Sequence, residues 1–444
     1  MSVQRARARA ASLVGLVVVA ACLSIGAHVR ITPMGVISFV PGPPSPSDPP
    51  AYVPGQVLVK FKPSVSSLMQ ASALAAFETK VVTRIPGIDV TVVRIEGGAT
   101  VEDTVAALRN SPDVEFAEPN AVCRALVTPN DTLFKYQYAL SNTGQMIGTV
   151  PGSPQGKPSA DIKAPEAWEE TEGSPSVVIA IVDTGVDLTH VDLQSKIKAS
   201  GRDFVNGDLD ASDDNGHGTM VAGIAAAATN NNEGIAGVAW NAMILPVKVL
   251  DASGNGPSDA VAQGIIWAAD NGANVINLSL GSETPSLTLQ NAVKYAYDKG
   301  LFIAAAAGNS NTAVDYPAAY HPYCFTVAAT DYNDLRASWS NYGPEVDVAA
   351  PGDRVLAPYP QALTPLGFIP YAYGTGTSMS APHVAGLAAL ILAEKPTLTP
   401  AQIQAIIRYS ADDVNASTYG GRDDFLGYGR INMESALVPL KIAK

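Results

Sequence analysis

From about residue 130 onward, short apolar runs alternate with longer segments that have helical periodicity. The runs are Val177–Val182, Met243–Leu250, Val275–Leu278, Phe302–Ala306 and Phe325–Ala328. Each run is apolar at consecutive positions rather than at every second one, so both faces of the strand that it predicts must be buried. We therefore predict an α/β domain in which a parallel sheet is sandwiched between helices.

Residues 55–122 have a different pattern, in which strands with alternating apolar positions are interrupted by two helical segments. The predicted order is a strand near Val57, a helix from Leu68, a strand near Val81, a strand from Val90, a helix from Val101 and a strand from Val114. This βαββαβ order predicts a small ferredoxin-like α+β domain.

The first 27 residues form a segment of their own. Arg5, Arg7 and Arg9 precede an apolar run over Leu13–Leu23, which is the order found in export signals. The run is shorter than the roughly 20 residues that a membrane-spanning helix needs. The small residues around Cys22 fit two alternatives, an ordinary signal peptide and a lipoprotein signal in which this cysteine is lipidated. Both predict an extracellular protein, which is secreted in the first case and anchored at the cell surface in the second.

A proline-rich stretch over residues 28–54 has the composition of an extended linker. We therefore divide the chain into a signal over residues 1–27, this linker, the small domain over 55–122 and the larger domain over 123–444.

Composition excludes several classes of function. The net charge of −13 argues against nucleic-acid binding, which requires clustered Lys and Arg. The chain has three cysteines, Cys22, Cys123 and Cys324, and no CxxC pair. This excludes a disulfide framework and a cysteine-based metal site.

Three polar residues lie just beyond the carboxyl ends of predicted strands or near them in the motif, which is where parallel sheets place their functional residues. Asp183 directly follows the first apolar run and begins the triplet Asp-Thr-Gly. His217 lies between two glycines, just before a helical stretch over residues 221–227. Ser378 lies in a segment rich in Gly, Thr and Ser, ahead of a helical stretch over 384–392.

Together these residues predict a catalytic triad, because a serine hydroxyl needs a base to remove its proton and histidine suits that role near neutral pH. A buried carboxylate then orients the histidine and stabilises its cation. Each segment alone is more often a turn or a helix cap. An aspartic protease is an alternative for Asp-Thr-Gly, but it needs two such carboxylates and the triplet occurs once. A binding protein on an inactive protease fold is the second alternative, and the intact set of residues argues against it.

The three segments resemble the catalytic motifs of the subtilisin-like serine proteases, which have Asp, His and Ser in this order. Ala350-Pro351-Gly352 and the segment over 427–432 also carry the resemblance, which extends over about Asn130–Leu437. It implies a serine endopeptidase that acts on protein or peptide substrates, and we expect a monomer. It also implies that the small domain is an inhibitory prodomain, made with the enzyme as one self-processing precursor.

The resemblance assigns roles to residues around the triad. Asn309 would donate to the oxyanion together with the backbone N–H of Ser378. Ser279, Leu280 and Gly281 would form the extended segment along which the substrate backbone pairs as an added strand.

The resemblance also places Asp315 on the floor of the pocket for the side chain that precedes the cut. A carboxylate there favours a cationic residue, and the alternative is a carboxylate that points to water or caps a turn. Control of the pocket by Asp315 predicts cleavage after Arg124 and a mature chain that begins at Ala125. The family alignment instead predicts cleavage after Leu126 and a start near Val127.

Calcium is the ion that the resemblance implies, in a structural role. The implied ligands are Asp131, Asp192, Asn231 and the carbonyl groups of Thr229, Glu233 and Ile235. Ligation by oxygen alone suits this cation. A further acidic run consists of Asp203, Asp208, Asp210, Asp213 and Asp214. Two interpretations of this run are open, a second cation site and a solvated loop.

Overall fold

The structure is a computed structural model that describes residues 28–31, 37–40, 52–122, 127–148, 152–198 and 201–442. The chain divides into two compact units, one over Pro44–Ala125 and one that combines Met1–Pro43 with Leu126–Lys444. The predicted export signal and both predicted cleavage points lie outside the described residues. Within the described ranges, no helix is both long enough and apolar enough to cross a bilayer.

Two short strands lie in the segment for which the sequence predicts a linker. β1 (His28–Ile31) and β2 (Ile37–Val40) pair in antiparallel register. Both have β-branched or aromatic residues at alternate positions, a pattern that favours strands. The structure therefore differs from an extended linker at these positions.

The smaller unit is a four-stranded antiparallel sheet with two helices. Its elements are β3 (Tyr52–Phe61), α1 (Ser67–Ala76), β4 (Thr79–Ile85), β5 (Val90–Ile95), α2 (Val101–Arg109) and β6 (Val114–Ala121). The strand order in the sheet is β4-β5-β3-β6. Each helix begins after a hydroxyl residue, Ser66 or Thr100, whose side chain accepts a backbone N–H of the first turn. The predicted βαββαβ order is confirmed.

The larger unit contains a seven-stranded sheet in which every neighbouring pair is parallel. Its strands are β7 (Val178–Asp183), β8 (Arg202–Asp203), β9 (Met243–Lys248), β10 (Val275–Leu278), β11 (Phe302–Ala306), β12 (Phe325–Thr330) and β13 (Val346–Pro351). The order across the sheet is β13-β12-β11-β10-β7-β9-β8. A separate antiparallel hairpin pairs β14 (Val355–Pro358) with β15 (Tyr371–Gly374).

Helices cover both faces of this sheet, as the apolar runs predict. They are α3 (Ala164–Trp168), α4 (His217–Ala226), α5 (Ser258–Asp270), α6 (Leu287–Asp298), α7 (Thr377–Glu394), α8 (Pro400–Ser410) and α9 (Met433–Ile442). Alternate residues of β7 pack into two separate hydrophobic cores, one on each face of the sheet. Ile179 and Ile181 pack with α4 and α7 on one face, whereas Val178 and Val182 pack with α5 and α6 on the other. The prediction of a parallel sheet sandwiched between helices is confirmed.

Candidate active site

The three predicted catalytic residues lie at the starts and ends of elements around the carboxyl edge of the sheet. Asp183 is the last residue of β7, which lies inside the sheet between β9 and β10. His217 is the first residue of α4, and Ser378 is the second residue of α7. A helix start directs unpaired backbone N–H groups outward, so Ser378 is placed beside donors for an anion.

Asp183 and His217 form a short, oriented pair. The Nδ1 atom of His217 lies 2.7 Å from Oδ1 of Asp183, which also accepts the backbone N–H of Thr184 at 2.7 Å. Because a carboxylate can only accept, Nδ1 carries the proton and Nε2 remains free as a base. Asp183 is fully buried, and its Oδ2 has no hydrogen-bond partner.

The electrostatic surroundings raise the pKa of His217. Desolvation by itself would lower this pKa, but the negative charge of Asp183, its hydrogen bond and the charge of Asp213 together outweigh that effect. The ring is therefore a stronger base than an ordinary histidine.

Ser378 and Ser279 exchange two hydrogen bonds. The Ser378 hydroxyl donates to the carbonyl of Ser279 at 3.1 Å, and the Ser279 hydroxyl donates to the carbonyl of Ser378 at 2.8 Å. The second bond has a clear cause. Pro382, four residues after Ser378 in α7, has no N–H to give to that carbonyl. Ser279 therefore supplies the donor that the proline lacks.

The same compensation explains where α7 begins. The sequence pattern predicts the helix only from Val384, after the proline, whereas it begins at Thr377. Asn277 stabilises the Ser279 hydroxyl in turn, with its side-chain amide 2.9 Å away. The helix continues through Pro382 because a neighbouring side chain satisfies the carbonyl group that the proline leaves free.

Asn309 is held by a residue that the sequence analysis did not select. Its Oδ1 accepts the backbone N–H of Thr377 at 2.8 Å and the Thr377 hydroxyl at 3.0 Å. The Thr377 hydroxyl also accepts the backbone N–H of Gly308 at 3.1 Å. These bonds use the oxygen of the amide, so the Nδ2 group remains as a donor. Thr377 directly precedes Ser378, and this position in the motif was the available signal.

Asp315 lies between the proposed substrate-binding segment and the glycine before Asn309. A methyl group built on Gly308 would lie 2.4 Å from Oδ2 of Asp315, and one built on Gly281 would lie 3.0 Å from its Cβ. Ser282 and Tyr316 join the two segments through a pair of backbone hydrogen bonds of 2.8 and 2.9 Å. Burial and the charge of nearby Glu283 raise the pKa of Asp315.

The predicted calcium ligands also come together. Asp131 accepts the backbone N–H of Asn230 at 2.8 Å, and Asp192 accepts the Asn231 amide at 3.1 Å and the backbone N–H of Ile235 at 2.9 Å. The loop that contains Thr229, Asn231, Glu233 and Ile235 thus contacts both carboxylates. Within this loop the Thr229 hydroxyl accepts the backbone N–H of Gly237, and the Asn231 oxygen accepts that of Glu233.

This pair of carboxylates is deeply buried. Asp131 is 4% exposed and Asp192 is fully buried. Burial and the charge of Asp192 raise the pKa of Asp131, although backbone hydrogen bonds act in the opposite direction. Oδ1 of Asp131 has no hydrogen-bond partner. Among the described residues, no Lys or Arg forms an ion pair with either carboxylate.

The acidic run between residues 203 and 214 is in part a solvated loop, because Asp208, Asp210 and Asp214 are exposed, and in part buried. Asp203 and Asp213 are buried and bind local N–H and O–H groups, and Asp214 pairs with the buried Lys248 at 2.6 Å. Within the described part of the chain, no cluster of three or more His, Cys, Asp or Glu residues could hold a metal ion. The run thus combines local structural contacts with solvated carboxylates.

Comparison with known proteins decides the family. The model of the Subtilase family, Peptidase_S8, matches residues 174–429, more than half of the chain. The chain belongs to the subtilase family. A second model, the Fervidolysin N-terminal prodomain, matches residues 40–120. This subtilase is therefore a subtilisin-like serine endopeptidase with a prodomain.

Individual relatives agree with this assignment. The subtilase is 42% identical to the thermophilic serine proteinase of Bacillus sp. (strain AK1) over 393 residues, which cover 87% of this chain and 88% of the relative. It is 48% identical to thermitase of Thermoactinomyces vulgaris over 277 residues, 62% of this chain and 93% of thermitase. Among solved structures, a protease of Pseudoalteromonas arctica aligns with a TM-score of 0.61 and 34% identity, over 71% of this chain and 100% of that one.

Proposed function

We propose that this subtilase is secreted as a self-processing precursor and hydrolyses peptide bonds through Asp183, His217 and Ser378. The observation that carries the proposal is the 2.7 Å contact between His217 and the buried Asp183, at the start of a helix that shares its hydrophobic core with the helix of Ser378. The pair leaves Nε2 of His217 free to accept a proton. The Ser378 hydroxyl donates to the carbonyl of Ser279 in the structure, so catalysis requires it to turn toward that nitrogen instead.

In the first step, Oγ of Ser378 attacks the peptide carbonyl while its proton passes to Nε2 of His217. The carbonyl carbon becomes tetrahedral, and its oxygen becomes an anion that binds the backbone N–H of Ser378 and Nδ2 of Asn309. His217 then gives the proton to the leaving amine, and the C–N bond breaks to leave an acyl group on Ser378. Water hydrolyses this ester by the same two proton transfers, so the enzyme returns unchanged.

We also propose how the substrate is held. Its backbone would pair with Ser279, Leu280 and Gly281 as an added strand, which makes binding largely independent of sequence. Asp315 would add selectivity for Arg or Lys before the cut. The support for this role is the position of its side chain beside both Gly281 and Gly308, with no ion-pair partner among the described residues.

The unit over Pro44–Ala125 would act as an intramolecular inhibitor until it is cut off. The fervidolysin-type prodomain match supports this role. The division of the chain into a signal over 1–27, a linker over 28–54, a prodomain over 55–122 and a catalytic domain over 123–444 belongs to the same proposal. The mature N-terminus then decides between Ala125 and Val127.

A structural calcium ion fits the site formed by Asp131, Asp192 and the loop over 229–235. Two buried carboxylates side by side repel each other unless a cation lies between them. The unpartnered Oδ1 of Asp131 is the clearest sign that a positive ligand belongs there. Hard oxygen donors on a loop suit calcium, which would bind through these carboxylates, the Asn231 amide and backbone carbonyl groups.

The test of the catalytic proposal compares Ser378→Ala with Ser380→Ala. Both serines lie in α7, but the Ser380 hydroxyl is buried and donates to the carbonyl of Ala350 at 2.9 Å. We expect the first variant to lose both peptide hydrolysis and removal of its prodomain, and the second to keep both. A folded Ser378→Ala protein that matures and cleaves peptides at the wild-type rate contradicts the proposal.

A further inference from the structure

Asp213 is a buried carboxylate with an unusually full set of hydrogen bonds. Its side chain is 8% exposed. Oδ1 accepts the Thr184 hydroxyl at 2.8 Å and the backbone N–H groups of Asn215 and Gly216 at 3.0 and 2.9 Å. Oδ2 accepts the backbone N–H of Thr219 at 3.0 Å and its hydroxyl at 2.6 Å. Donors from both sides of His217 in the chain therefore converge on one carboxylate.

These bonds join the segments that hold Asp183 and His217. Thr184 directly follows Asp183, and its hydroxyl also accepts the backbone N–H of Gly218, one residue after His217, at 2.9 Å. The segments are in close contact, because a methyl group built on Gly218 would lie 2.1 Å from the carbonyl oxygen of Gly185. Asp213 and Thr184 thus clamp the first turn of α4 against the turn after β7.

The charge of Asp213 has no cationic partner among the described residues. Its neighbour Asp214 pairs instead with Lys248, whose ammonium also donates to the carbonyl groups of Thr184 and Leu250 at 2.7 and 2.8 Å. The charged groups that act on the His217 ring are Asp183, at the end of β7, and Asp213, in the loop before α4. Both favour the imidazolium that forms during catalysis.

We propose that Asp213 is a positioning residue of the triad, which fixes the His217 turn against the Asp183 turn and stabilises the positive charge that His217 acquires. This inference rests on the proposed function, because it presumes that His217 is the general base. Hydrogen bonds within a poorly solvated network are both strong and directional. A small displacement of Asp213 should therefore change the alignment of His217 with Asp183.

The test replaces Asp213 by Asn, which keeps the size of the side chain and removes its charge. Asp210→Asn is the matched control, since it removes the same charge from the same loop, at an exposed carboxylate that, among the described residues, accepts hydrogen bonds only from Ser212. Each precursor is matured with a tagged wild-type enzyme that is then removed, and kcat and KM for a peptide are measured from acidic to alkaline pH.

We expect Asp213→Asn to lower kcat at least tenfold, which is part of the roughly hundredfold or more that a positioned base contributes, with little change in KM. The acidic limb of kcat/KM should move to lower pH, because losing the Asp213 charge lowers the pKa of His217. Asp210→Asn should leave this limb in place. A folded Asp213→Asn enzyme with wild-type kcat and an unmoved limb overturns the inference, whereas an active Ser378→Ala enzyme overturns the proposed function itself.

A second pair of variants decides the question if Asp213→Asn does not fold. Thr184→Val removes the hydroxyl that links Asp213 to Gly218 but keeps the shape, and Thr184→Ser restores the hydroxyl. The valine variant should lose kcat in the same direction, and the serine variant should recover most of it. Equal kcat in both variants would contradict the clamp.

Discussion

Two buried carboxylates in this subtilase each have one oxygen without a hydrogen-bond partner, Oδ2 of Asp183 and Oδ1 of Asp131. Their neighbours differ. Asp183 faces the ring of His217, which can take up a proton and become a cation. Asp131 faces a second carboxylate, Asp192, which cannot. In the function that we propose, the same degree of burial would therefore support catalysis at one site and favour a bound cation at the other.

The neighbours also explain why each site lies where it does. Asp183 ends a strand inside the sheet, where the backbone cannot shift, and the His217 helix packs on the following turn. Asp131 lies near the start of the Leu126–Lys444 part of the larger unit and contacts a loop with Asn230 and Asn232 at positive φ. A rigid frame suits a proton transfer, whereas a loop suits a cation that takes several oxygen ligands.

The same substitution at the two carboxylates gives the largest predicted contrast. Asp183→Asn should lower kcat about 10⁴-fold, because an amide holds the wrong tautomer of the histidine. Asp131→Asn should leave kcat near the wild-type value in excess calcium and should instead lower thermal stability. Peptide hydrolysis and thermal unfolding of both mature variants are the measurements. If Asp131→Asn lost activity and Asp183→Asn did not, the roles that we assign to the two carboxylates would be contradicted.

Asn309→Ala should lower kcat about a hundred- to a thousandfold, the usual effect of removing one oxyanion donor. KM should change little, since the amide binds the transition state rather than the bound peptide. Asn311→Ala is the control, because Asn311 is exposed and contacts Arg336 instead. Steady-state kinetics of both variants measure this effect. Equal losses in both would show that the effect is not specific to the oxyanion site.

Removal of calcium should lower the thermal midpoint, because an ion that binds only the native state stabilises it by mass action. At a hundredfold excess over Kd the stabilisation is about 2.7 kcal/mol, which for a domain of this size corresponds to a shift of roughly 4 °C. Calorimetry with excess chelator and with calcium measures the shift. Asp131→Asn should unfold at nearly the same temperature in both conditions. A wild-type enzyme with identical melting curves would refute the calcium site.

Asp315→Asn should lower the preference for Arg over Leu before the cut by about tenfold, the equivalent of 1.4 kcal/mol. The preference should also depend on pH in the wild type. Because the pKa of Asp315 is raised, its charge is present above that pKa, and selectivity for Arg should fall as pH drops through it. The kcat/KM values of matched Arg and Leu peptides measure both effects. A mature chain that begins at Val127, together with unchanged Arg cleavage in the variant, would leave Asp315 without a role.

The sequence predicts most of this architecture, because apolar runs such as Val177–Val182 have few other structural solutions than buried parallel strands. It predicts the triad because motif and position coincide at Asp183, His217 and Ser378. It does not predict the supporting contacts. The hydrogen bonds that Thr377 donates to Asn309 and Thr184 donates to Asp213 join residues 68 and 29 positions apart, and short polar residues in loops are common.

Pro382 is a second case in which a contact between distant residues could not be predicted from the sequence. A proline inside a helix normally ends it or bends it. A prediction from the local sequence therefore places the start of α7 too late in the chain. The donor that allows the helix to continue, the hydroxyl of Ser279, is 99 positions away in the chain. Only the folded structure reveals that compensation.

Covalent labelling by a fluorophosphonate tests the central claim most directly. The reagent reacts with a serine only where a base activates the hydroxyl and an oxyanion site stabilises the product, so it reports the whole catalytic arrangement. Peptide mapping of the labelled mature enzyme should find one modification per molecule, on Ser378, with a labelling rate that falls as His217 becomes protonated. Active enzyme with the label on another residue, or with no label, would contradict the account.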